Sequence, residues 1–340
     1  MRYIGGKSLL LDSISEVIND NCADAKSVLD IFSGSGVVSQ HFAQKGYEVA
    51  SNDFLYFSYV IARGTIGITS TPTFNKLNIE DVFGYLNDLK IEDTIFSIED
   101  CFVYQNYSPT STCERMYFQN DNALKIDIIR MQIEEWKNCG LINDDEYYYL
   151  LAALINAVPY VANITGTFGA YLKYWDKRTY NKLELIPYPV TESRVIKCVN
   201  KDYTEALNIK TDVLYADPPY NTREYLPNYH VMETIARYDY PAIKGVTGIR
   251  NYENQKSLFC RKNNVSEAFE VLIRDANAKY ILISYNNEGL ISTEALSNIC
   301  RKYAVDNSFR LYEYNYRRYK NKISNNKEGL KEQLYFLRRY

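Results

Sequence analysis

The stretch from residue 28 to residue 51 constrains the fold of this 340-residue chain more than any other. A short apolar strand (28–31) runs into a glycine turn, a helix (37–45) and a second strand (47–51). The turn holds Gly34 and Gly36, which tolerate the positive φ angles that a tight strand-to-helix connection needs. This order is a βαβ unit, so the sequence predicts an α/β fold with a doubly wound, mostly parallel sheet.

The rest of the chain divides by its periodicity. Alternating or apolar strand patterns occur at 195–199, 213–216, 280–284, 311–319 and 333–338, and helical patterns at 8–18, 126–136 and 147–161. We therefore expect one domain built from residues 1–62 and 191–340, interrupted by an inserted, largely helical region at 63–190. A length of 340 residues fits one large domain or two medium ones.

Composition narrows the class of protein. Hydrophobic residues make up 46% of the chain and charged residues 24%, which is ordinary for a soluble globular protein. There is no secretory leader and no apolar stretch of membrane-spanning length, so we expect a cytoplasmic protein without a membrane partner. The seven cysteines form no Cys-x-x-Cys pair and there are two histidines, so no metal site is expected.

Charge is distributed unevenly along the chain. The net charge is −3, but residues 80–149 hold 15 acids against 5 bases, and residues 301–340 hold 11 bases against 4 acids. The basic tail interleaves aromatic rings with cations, a pattern that can meet nucleobases and phosphates together. The alternative is a solvated basic hairpin. The tail residues of interest are Tyr316, Arg317, Arg318 and Tyr319.

A second motif follows the predicted strand at 213–216. It consists of Asp217, Pro218, Pro219 and Tyr220. Proline fixes φ and has no N–H, so this turn is rigid and presents its carbonyl groups. A carboxylate and a carbonyl can accept two hydrogen bonds from a planar amino group while the tyrosine ring stacks over it. These are the requirements for binding the amine of a nucleobase.

The glycine turn itself is compatible with a nucleoside site. Asp30 precedes it, no Lys-Ser/Thr pair follows it, and Ser39 stands where a dinucleotide fingerprint needs glycine or alanine. Asp53 ends the next strand, where a carboxylate can bind ribose hydroxyls. These features favour an adenosine ligand without a diphosphate, with a purely structural turn as the alternative.

The combined motifs resemble one family. Arg-Tyr-Ile-Gly-Gly-Lys at 2–7, Asp-Ile-Phe-Ser-Gly-Ser-Gly at 30–36, a long insert and Asp-Pro-Pro-Tyr-Asn-Thr-Arg at 217–223 resemble the Dam-like, alpha-order DNA adenine-N6 methyltransferases. The resemblance covers the regions on both sides of the insert, and is strongest to the modification enzymes of type II restriction systems. The insert matches only by its position.

This resemblance implies a fold, a cofactor and partners. The expected fold is a seven-stranded methyltransferase sheet with an inserted target-recognition region. The expected cofactor is S-adenosyl-L-methionine, and the expected substrate is an adenine flipped out of a short site in double-stranded DNA, for which CATG is one candidate. The expected setting is a bacterial or phage-type cytoplasmic protein that protects DNA from a cognate restriction endonuclease, with no direct contact implied.

The resemblance also implies residue roles. Asp217, Pro218, Pro219 and Tyr220 would hold the target adenine, and Asp217 would also border the cofactor. Lys7 would meet the methionine carboxylate, with Tyr3 nearby. Phe32, Gly34 and Gly36 would lie under the methionine moiety, Asp30 at the strand end below, Asp53 at the ribose and Asp202 at the cofactor adenine, where Asn200 is the alternative.

Candidate DNA contacts lie in the insert and beside the second motif. Residues 163–169 combine glycines and hydroxyls and are followed by aromatic and basic side chains, which suits groove and phosphate contact. A glycine-bearing packing turn is the alternative. The basic candidates outside the tail are Lys173, Lys177, Arg178 and Arg223.

Rival functions share parts of this pattern. An RNA guanine-amino methyltransferase also carries Asp-Pro-Pro followed by an aromatic residue, but is usually shorter. A cytosine-amino DNA methyltransferase more often has serine before the prolines. A DNA-binding module that has lost catalysis is the non-enzyme alternative, and the intact Asp217, Tyr220, Gly34 and Lys7 argue against it.

Overall fold

The computed structural model describes residues 6–190, 195–315 and 331–340. Within these residues, seven strands form one sheet in the order β3-β2-β1-β4-β7-β9-β8, and two short strands form a separate hairpin, β5-β6. The strands are β1 (Ser27–Asp30), β2 (Glu48–Asn52), β3 (Val195–Val199), β4 (Thr211–Ala216), β5 (Ile243–Lys244), β6 (Ile249–Arg250), β7 (Ala278–Asn286), β8 (Arg310–Asn315) and β9 (Lys331–Arg338).

Helices flank the sheet and fill the insert. They are α1 (Leu11–Asn21), α2 (Val37–Gln44), α3 (Tyr56–Thr65), α4 (Val82–Asp88), α5 (Phe102–Tyr107), α6 (Asn120–Asn138), α7 (Asp144–Ala157), α8 (Tyr203–Ala206), α9 (Leu226–Arg237), α10 (Val265–Asp275) and α11 (Thr293–Tyr303). A short 3₁₀ helix spans Lys177–Tyr180.

The strand order reverses at the centre of the sheet. Val28 of β1 lies opposite Val49 of β2 on one side and Val213 of β4 on the other, both in parallel register. β7 continues the parallel sheet, whereas β9 pairs antiparallel to both β7 and β8. The sheet is therefore mostly parallel and doubly wound, with the fold of a class I methyltransferase, which confirms the predicted fold class.

Both faces of the sheet are buried. Along β4, Val213 and Tyr215 belong to one hydrophobic cluster, and Leu214 and Ala216 to the other. Neighbouring strand residues point to opposite faces, so the two clusters lie on opposite sides of the sheet. Helices cover each face. Their apolar residues recur at helical spacing and so form one apolar side that packs against the sheet, as in α10 with Val265, Ala268, Phe269, Leu272 and Ile273. A sheet covered on both faces requires the continuous apolar strands that the sequence contains.

The insert forms its own hydrophobic core. Buried residues of α4 to α7 pack together in a third cluster, which also contains residues of α3 and α9. The insert is thus largely helical, as expected, and its core continues onto two helices that flank the sheet. The assignment of residues 63–190 to target recognition stays a prediction.

Helix boundaries differ from the sequence-based expectation: the helices predicted at 8–18, 126–136 and 147–161 span Leu11–Asn21, Asn120–Asn138 and Asp144–Ala157. The first helix begins at Leu11 and not at residue 8, because residues 8–10 form a turn in which the N–H of Leu10 donates to the carbonyl of Lys7 (2.8 Å). In the C-terminal hairpin, β8 is described to Asn315, and the predicted continuation to residue 319 lies outside the described residues.

The close approach of α3 to α7 gives a stability prediction. A Cβ atom added at Gly64 would lie 2.2 Å from the Tyr148 carbonyl oxygen and 2.6 Å from Cβ of Ala152. We expect Gly64→Ala to lower the free energy of unfolding by about 1–3 kcal/mol because the two helices must separate. Urea unfolding measures this change. Gly166→Ala, where an added Cβ meets nothing within 4 Å, is the control. Equal stability of the two variants would contradict the packing described.

Candidate active site

A pocket opens at the carboxyl ends of β1 and β4, where the strand order reverses. This is the crevice in which open α/β sheets bind ligands. The lining residues come from the segment before α1, from the glycine turn, from the ends of β2 and β4, and from the connections that follow. Those that the sequence predicted are Lys7, Asp30, Phe32, Gly34, Asp53, Asp202, Asp217 and Pro219.

The glycine turn forms part of the pocket floor, and a backbone N–H group of the turn bonds to a carboxylate. Gly34 and Gly36 have φ angles of 50° and 74°, in the region that favours glycine. The N–H of Gly34 donates to Oδ2 of Asp53 (2.7 Å), which ties the turn to the end of β2. Gly36 is not among the lining residues and instead precedes the first residue of α2. The two glycines therefore have different roles, one at the ligand surface and one at the helix start.

Asp53 is buried at the end of β2. Its Oδ1 accepts a hydrogen bond from the N–H of Leu55 (2.8 Å), in addition to the bond from Gly34. Burial raises the pKa of Asp53 to about 6, and the two backbone N–H groups oppose that shift. Each carboxylate oxygen keeps a lone pair beyond these bonds, so contact with a ribose hydroxyl remains compatible with the geometry.

Asp30 is the most perturbed carboxyl group of the floor. Its Oδ2 accepts a hydrogen bond from Oγ of Ser39 (2.7 Å), while Oδ1 is buried without a hydrogen-bond partner. Burial raises the pKa of Asp30 to about 7, and the negative charges of Asp217 and Asp53 add to the shift. An unsatisfied acceptor that lines a pocket is an observation that favours a ligand with a donor or a positive charge.

Asp217 sits at the end of β4 in an ion pair with Lys7. Nζ of Lys7 lies 3.2 Å from Oδ1 of Asp217 and 3.5 Å from Oε2 of Glu332. Burial raises the pKa of Asp217 to about 6; Lys7 lowers it and Glu332 raises it. Burial opposes the charged form of Lys7, but the two carboxylates outweigh it and hold the Lys7 pKa above its ordinary value. Lys7 was expected to meet a cofactor carboxylate, and here two protein carboxylates occupy part of its hydrogen-bonding capacity.

The remaining residues of the Asp-Pro-Pro-Tyr motif differ in their position relative to the pocket. Pro219 lines it, whereas Pro218 is buried outside the lining. Tyr220 is half-buried against the core beside the pocket, and its carbonyl accepts a hydrogen bond from the N–H of Leu290 (3.1 Å). The motif thus presents a carboxylate and a proline to the pocket, and a partly exposed ring next to it.

Asp202 and Asn200 differ in position. Asp202 lines the pocket, but it follows β3 and does not lie on the strand: its Oδ1 accepts from the N–H of Thr204 (2.9 Å) and starts α8. Nδ2 of Asn200 donates to the carbonyls of Asp53 (2.7 Å) and Phe54 (3.0 Å). Asn200 therefore holds the backbone at the end of β2, whereas Asp202 lines the pocket.

An aromatic cluster forms one side of the pocket. The ring of Phe32 lies 6.0 Å from that of Tyr203 and 5.3 Å from that of Phe259, measured between centroids. Phe32 and Tyr203 both line the pocket. The cluster provides a flat apolar surface of the kind that binds a planar ring.

Sequence reasoning missed one wall of the pocket. That wall comes from the start of α9 and from the connection between β6 and α10, which meet where the N–H of Ser257 donates to Oε2 of Glu224 (3.0 Å). Its members are Glu224, Tyr225, Leu226, Gln255, Lys256, Ser257 and Leu258. They lie in connections without a motif, so no signal in a single sequence points to them. Glu332 was also missed, because it lies on β9 outside any motif and only strand pairing brings it to Lys7.

His230 and Glu233 on α9 do not line the pocket. Nε2 of His230 is 2.9 Å from the carbonyl of Phe168, and burial lowers the His230 pKa to about 4. Glu233 accepts hydrogen bonds from the N–H groups of Tyr56 (3.1 Å) and Phe57 (3.0 Å), at the start of α3. Both side chains hold α9 against its neighbours.

The predicted DNA contacts fall in three places. Lys173, Lys177 and Arg223 are exposed, whereas Arg178 is half-buried and Nε donates to Oδ1 of Asp176 (3.1 Å). The glycine-bearing segment 163–169 packs against α9, where the N–H of Phe168 donates to the carbonyl of Asn228 (2.8 Å). Tyr3 and the tail residues Tyr316, Arg317, Arg318 and Tyr319 lie outside the described residues.

Metal and membrane features are lacking in the described part of the chain. No group of histidine, cysteine, aspartate and glutamate side chains there could hold a metal ion. No helix among those residues has the length and apolarity needed to cross a membrane.

Comparison with known proteins decides the family. A family model described as D12 class N6 adenine-specific DNA methyltransferase matches residues 3–299. The chain belongs to this family. Family and fold together imply that the protein uses a methyl donor.

Curated relatives extend over the whole chain. It is 44% identical to the type II methyltransferase M.FokI of Planomicrobium okeanokoites, over 100% of this chain and 53% of that protein. It is 43% identical to the modification methylase StsI of Streptococcus sanguinis, over 100% of this chain and 52% of that protein. The chain thus spans about half the length of these relatives. It is 37% identical to the type II methyltransferase M.NlaIII of Neisseria lactamica, over 94% of this chain and 92% of that protein.

The perturbed carboxyl group of Asp30 predicts a pH-dependent stability. Its pKa is about 7 in the folded chain, above the ordinary aspartate value of about 4. Between about pH 4 and pH 7 the folded chain therefore keeps this proton while the unfolded chain loses it. Stability from this group is therefore present at low pH and is lost as the pH rises through 7. We expect the stability of Asp30→Asn, relative to wild type, to increase from pH 5 to pH 8 in urea unfolding. Asp12→Asn, exposed on α1, is the matched control. A difference independent of pH would contradict this.

Proposed function

We propose that this protein transfers a methyl group from S-adenosyl-L-methionine to the exocyclic N6 amine of an adenine in a short site of double-stranded DNA. The observation that carries the proposal is that Asp217 and the Gly34 turn line one pocket. The first suits the amine that receives the methyl group, and the second suits the nucleoside that supplies it. We expect ligands held at these two points to be close enough for one methyl group to pass between them.

The pocket fits the proposed cofactor in chemistry and charge. Gly34 and Phe32 would lie beside the methionine moiety, Asp53 would bind the ribose hydroxyls, and Asp202 with Tyr203 would border the adenine ring. The unpartnered Oδ1 of Asp30 offers a further hydrogen-bonding position in the floor below. When bound, S-adenosyl-L-methionine supplies an activated methyl group on a cationic sulfur.

Asp217 acts on the amine of the target base. The lone pair of that nitrogen is delocalised into the adenine ring, which makes it a poor nucleophile. A hydrogen bond from the amine to the Asp217 carboxylate favours a tetrahedral nitrogen. The same carboxylate offsets the positive charge that develops during transfer. Pocket walls that fix both reactants supply the orientation that an in-line displacement needs.

The target adenine must leave the duplex to reach Asp217. Extrusion of a base costs about a few kcal/mol. Stacking on an aromatic ring returns about 1–3 kcal/mol. Tyr220 is half-buried beside the pocket and keeps part of its ring accessible, which suits this role.

A basic and aromatic surface on the insert is the best candidate for DNA contact. Its exposed tyrosines, Tyr160, Tyr174 and Tyr180, are 67%, 67% and 69% exposed. Lys173 and Lys177 are exposed within the same stretch of chain. The segment contrasts with residues 80–149, which hold 15 acids against 5 bases and would be repelled by phosphates. Basic groups for phosphates and open rings for bases favour duplex DNA as the partner.

The names of the relatives support a biological setting. The chain is similar to proteins named as type II methyltransferases and modification methylases. We infer a cytoplasmic modification enzyme that protects host DNA from a cognate restriction endonuclease. Methylation-sensitive sequencing of DNA from a host that expresses this chain would identify the target site, including whether it is CATG.

Labelled S-adenosyl-L-methionine and unmethylated DNA test the reaction. We expect label on adenine N6 after the DNA is digested to nucleosides, whereas label on cytosine would favour the cytosine-amino rival. Asp217→Ala should reduce transfer by about 10²–10³-fold, because a preorganised acceptor for the developing charge is lost. Calorimetry should show cofactor affinity within a few-fold of wild type. A large loss of cofactor affinity would mean that Asp217 binds the cofactor and not the amine.

The DNA surface is tested by salt dependence. Lys173→Gln and Lys177→Gln should each weaken DNA binding for all sequences and reduce the slope of log K against log salt by about 1. Fluorescence anisotropy at several salt concentrations measures this slope. Lys90→Gln, exposed on the acidic half of the insert, is the matched control and should leave the slope unchanged. An equal effect at all three positions would contradict the assigned surface.

A further inference from the structure

Glu332 enters the active site from a strand that carries no recognised motif. It lies on β9, opposite Asn286 of β7 and Tyr314 of β8, so its position is fixed by backbone pairing on both sides. Its Oε2 is 3.5 Å from Nζ of Lys7, which in turn is 3.2 Å from Oδ1 of Asp217. Three segments distant in sequence therefore meet at one ammonium group.

The burial of this cluster strengthens the electrostatic interactions among its charged groups. The side chains of Lys7 and Glu332 are 5% and 8% exposed, and that of Asp217 is 19% exposed. Charge interactions between such groups are much stronger than at the surface because little water screens them. One ammonium group faces two carboxylates, so the cluster keeps a net negative charge.

The division of one cation between two anions has a chemical consequence. If Lys7 paired with Asp217 alone, it would neutralise that carboxylate and weaken it as a hydrogen-bond acceptor. Glu332 accepts one of the hydrogen bonds that the Lys7 ammonium group can donate. It also offsets part of the ammonium charge, so that less of this charge acts on Asp217. The contact with Lys7 involves Oδ1 of Asp217, which leaves Oδ2 available to a ligand in the pocket.

We propose that Glu332 is a positioning residue which, by sharing Lys7 with Asp217, keeps the Asp217 carboxylate anchored and basic enough to be a strong acceptor for the hydrogen bond of the substrate amine. This inference rests on the proposed function and assigns a role to a residue outside its motifs. Glu332 acts through Lys7 and touches neither substrate nor cofactor.

Other groups face Asp217 and enter the same balance. Asp30 on β1 adds negative charge, and the hydroxyl of Tyr215 on β4 is buried nearby. Tyr225, at the start of α9, interacts with Asp217 from the other wall. None of these groups is a cation, so Lys7 is the positive charge whose distribution Glu332 controls.

Two substitutions should move the pKa of Asp217 in opposite directions. Lys7→Met removes the cation and should raise that pKa by about one unit or more. Glu332→Gln removes the competing anion, leaves Lys7 paired with Asp217, and should lower it by about one unit. A titration of ¹³C-labelled aspartate carboxyl groups by NMR measures both shifts, with the Asp217 signal assigned by its loss in Asp217→Asn. Glu313→Gln, on the neighbouring strand and paired with Lys331 (2.9 Å), is the matched control and should not move the signal.

The same shifts should appear in catalysis. The acidic limb of the pH profile of kcat/KM should move to lower pH in Glu332→Gln and to higher pH in Lys7→Met. A residue that merely supported the fold would lower activity equally at all pH values. An Asp217 pKa that rises or stays unchanged in Glu332→Gln overturns the proposal, and this variant decides the matter even if Lys7→Met fails to fold. The titration needs neither DNA nor methyl donor, so it tests the role of Glu332 separately from the proposed function. Failure of the proposed function would instead appear as no methyl transfer by the wild type.

Discussion

The parallel pairing of β1 with β4 is the constraint on which the site depends. The two strands are distant in sequence, and the N–H of Ile31 donates to the carbonyl of Tyr215 (3.1 Å) at the point where both approach the pocket. This pairing places the glycine turn after one strand beside the Asp-Pro-Pro-Tyr motif after the other. A register shift by one residue would turn Asp217 toward the other face. Backbone pairing at the carboxyl edge of the sheet thus fixes the relative position of the glycine turn and the Asp-Pro-Pro-Tyr motif.

The sequence predicted the frame of the fold well and the walls of the site poorly, for a physical reason. Local signals are strong where backbone conformation dictates residue type, as at Gly34, Gly36 and the two prolines, and β3 was predicted with the bounds that the structure has. Glu332 and the connection at 255–258 carry no such signal, since only the tertiary fold brings Glu332 to Lys7 and the connection to the pocket. Lys7 was recognised from its motif, but its two carboxylate partners depend on strands that close the sheet more than 200 residues later.

The insert and the catalytic domain are joined through shared packing. The insert core extends onto α3 and α9, and α9 follows directly from the Asp-Pro-Pro-Tyr motif. Glu233 of α9 caps the start of α3, and Phe168 of the insert bonds to Asn228 in the first turn of α9. A displacement of the insert would therefore reach the segment beside Asp217 through a few direct contacts. On the proposed function, recognition of a DNA site and the position of the reacting base are mechanically linked.

The surplus of carboxylates in the pocket sets a preference for ligand charge. The charged residues that line it within the described chain are Lys7, Asp30, Asp53, Asp202, Asp217, Glu224 and Lys256. Acids outnumber bases, and Asp30 and Asp53 lie on the floor away from bulk water. Such a site attracts a positively charged molecule more strongly than a neutral one of the same shape. A donor that loses its charge when it gives up a methyl group would therefore be held less tightly afterwards, and turnover would be favoured by electrostatics alone.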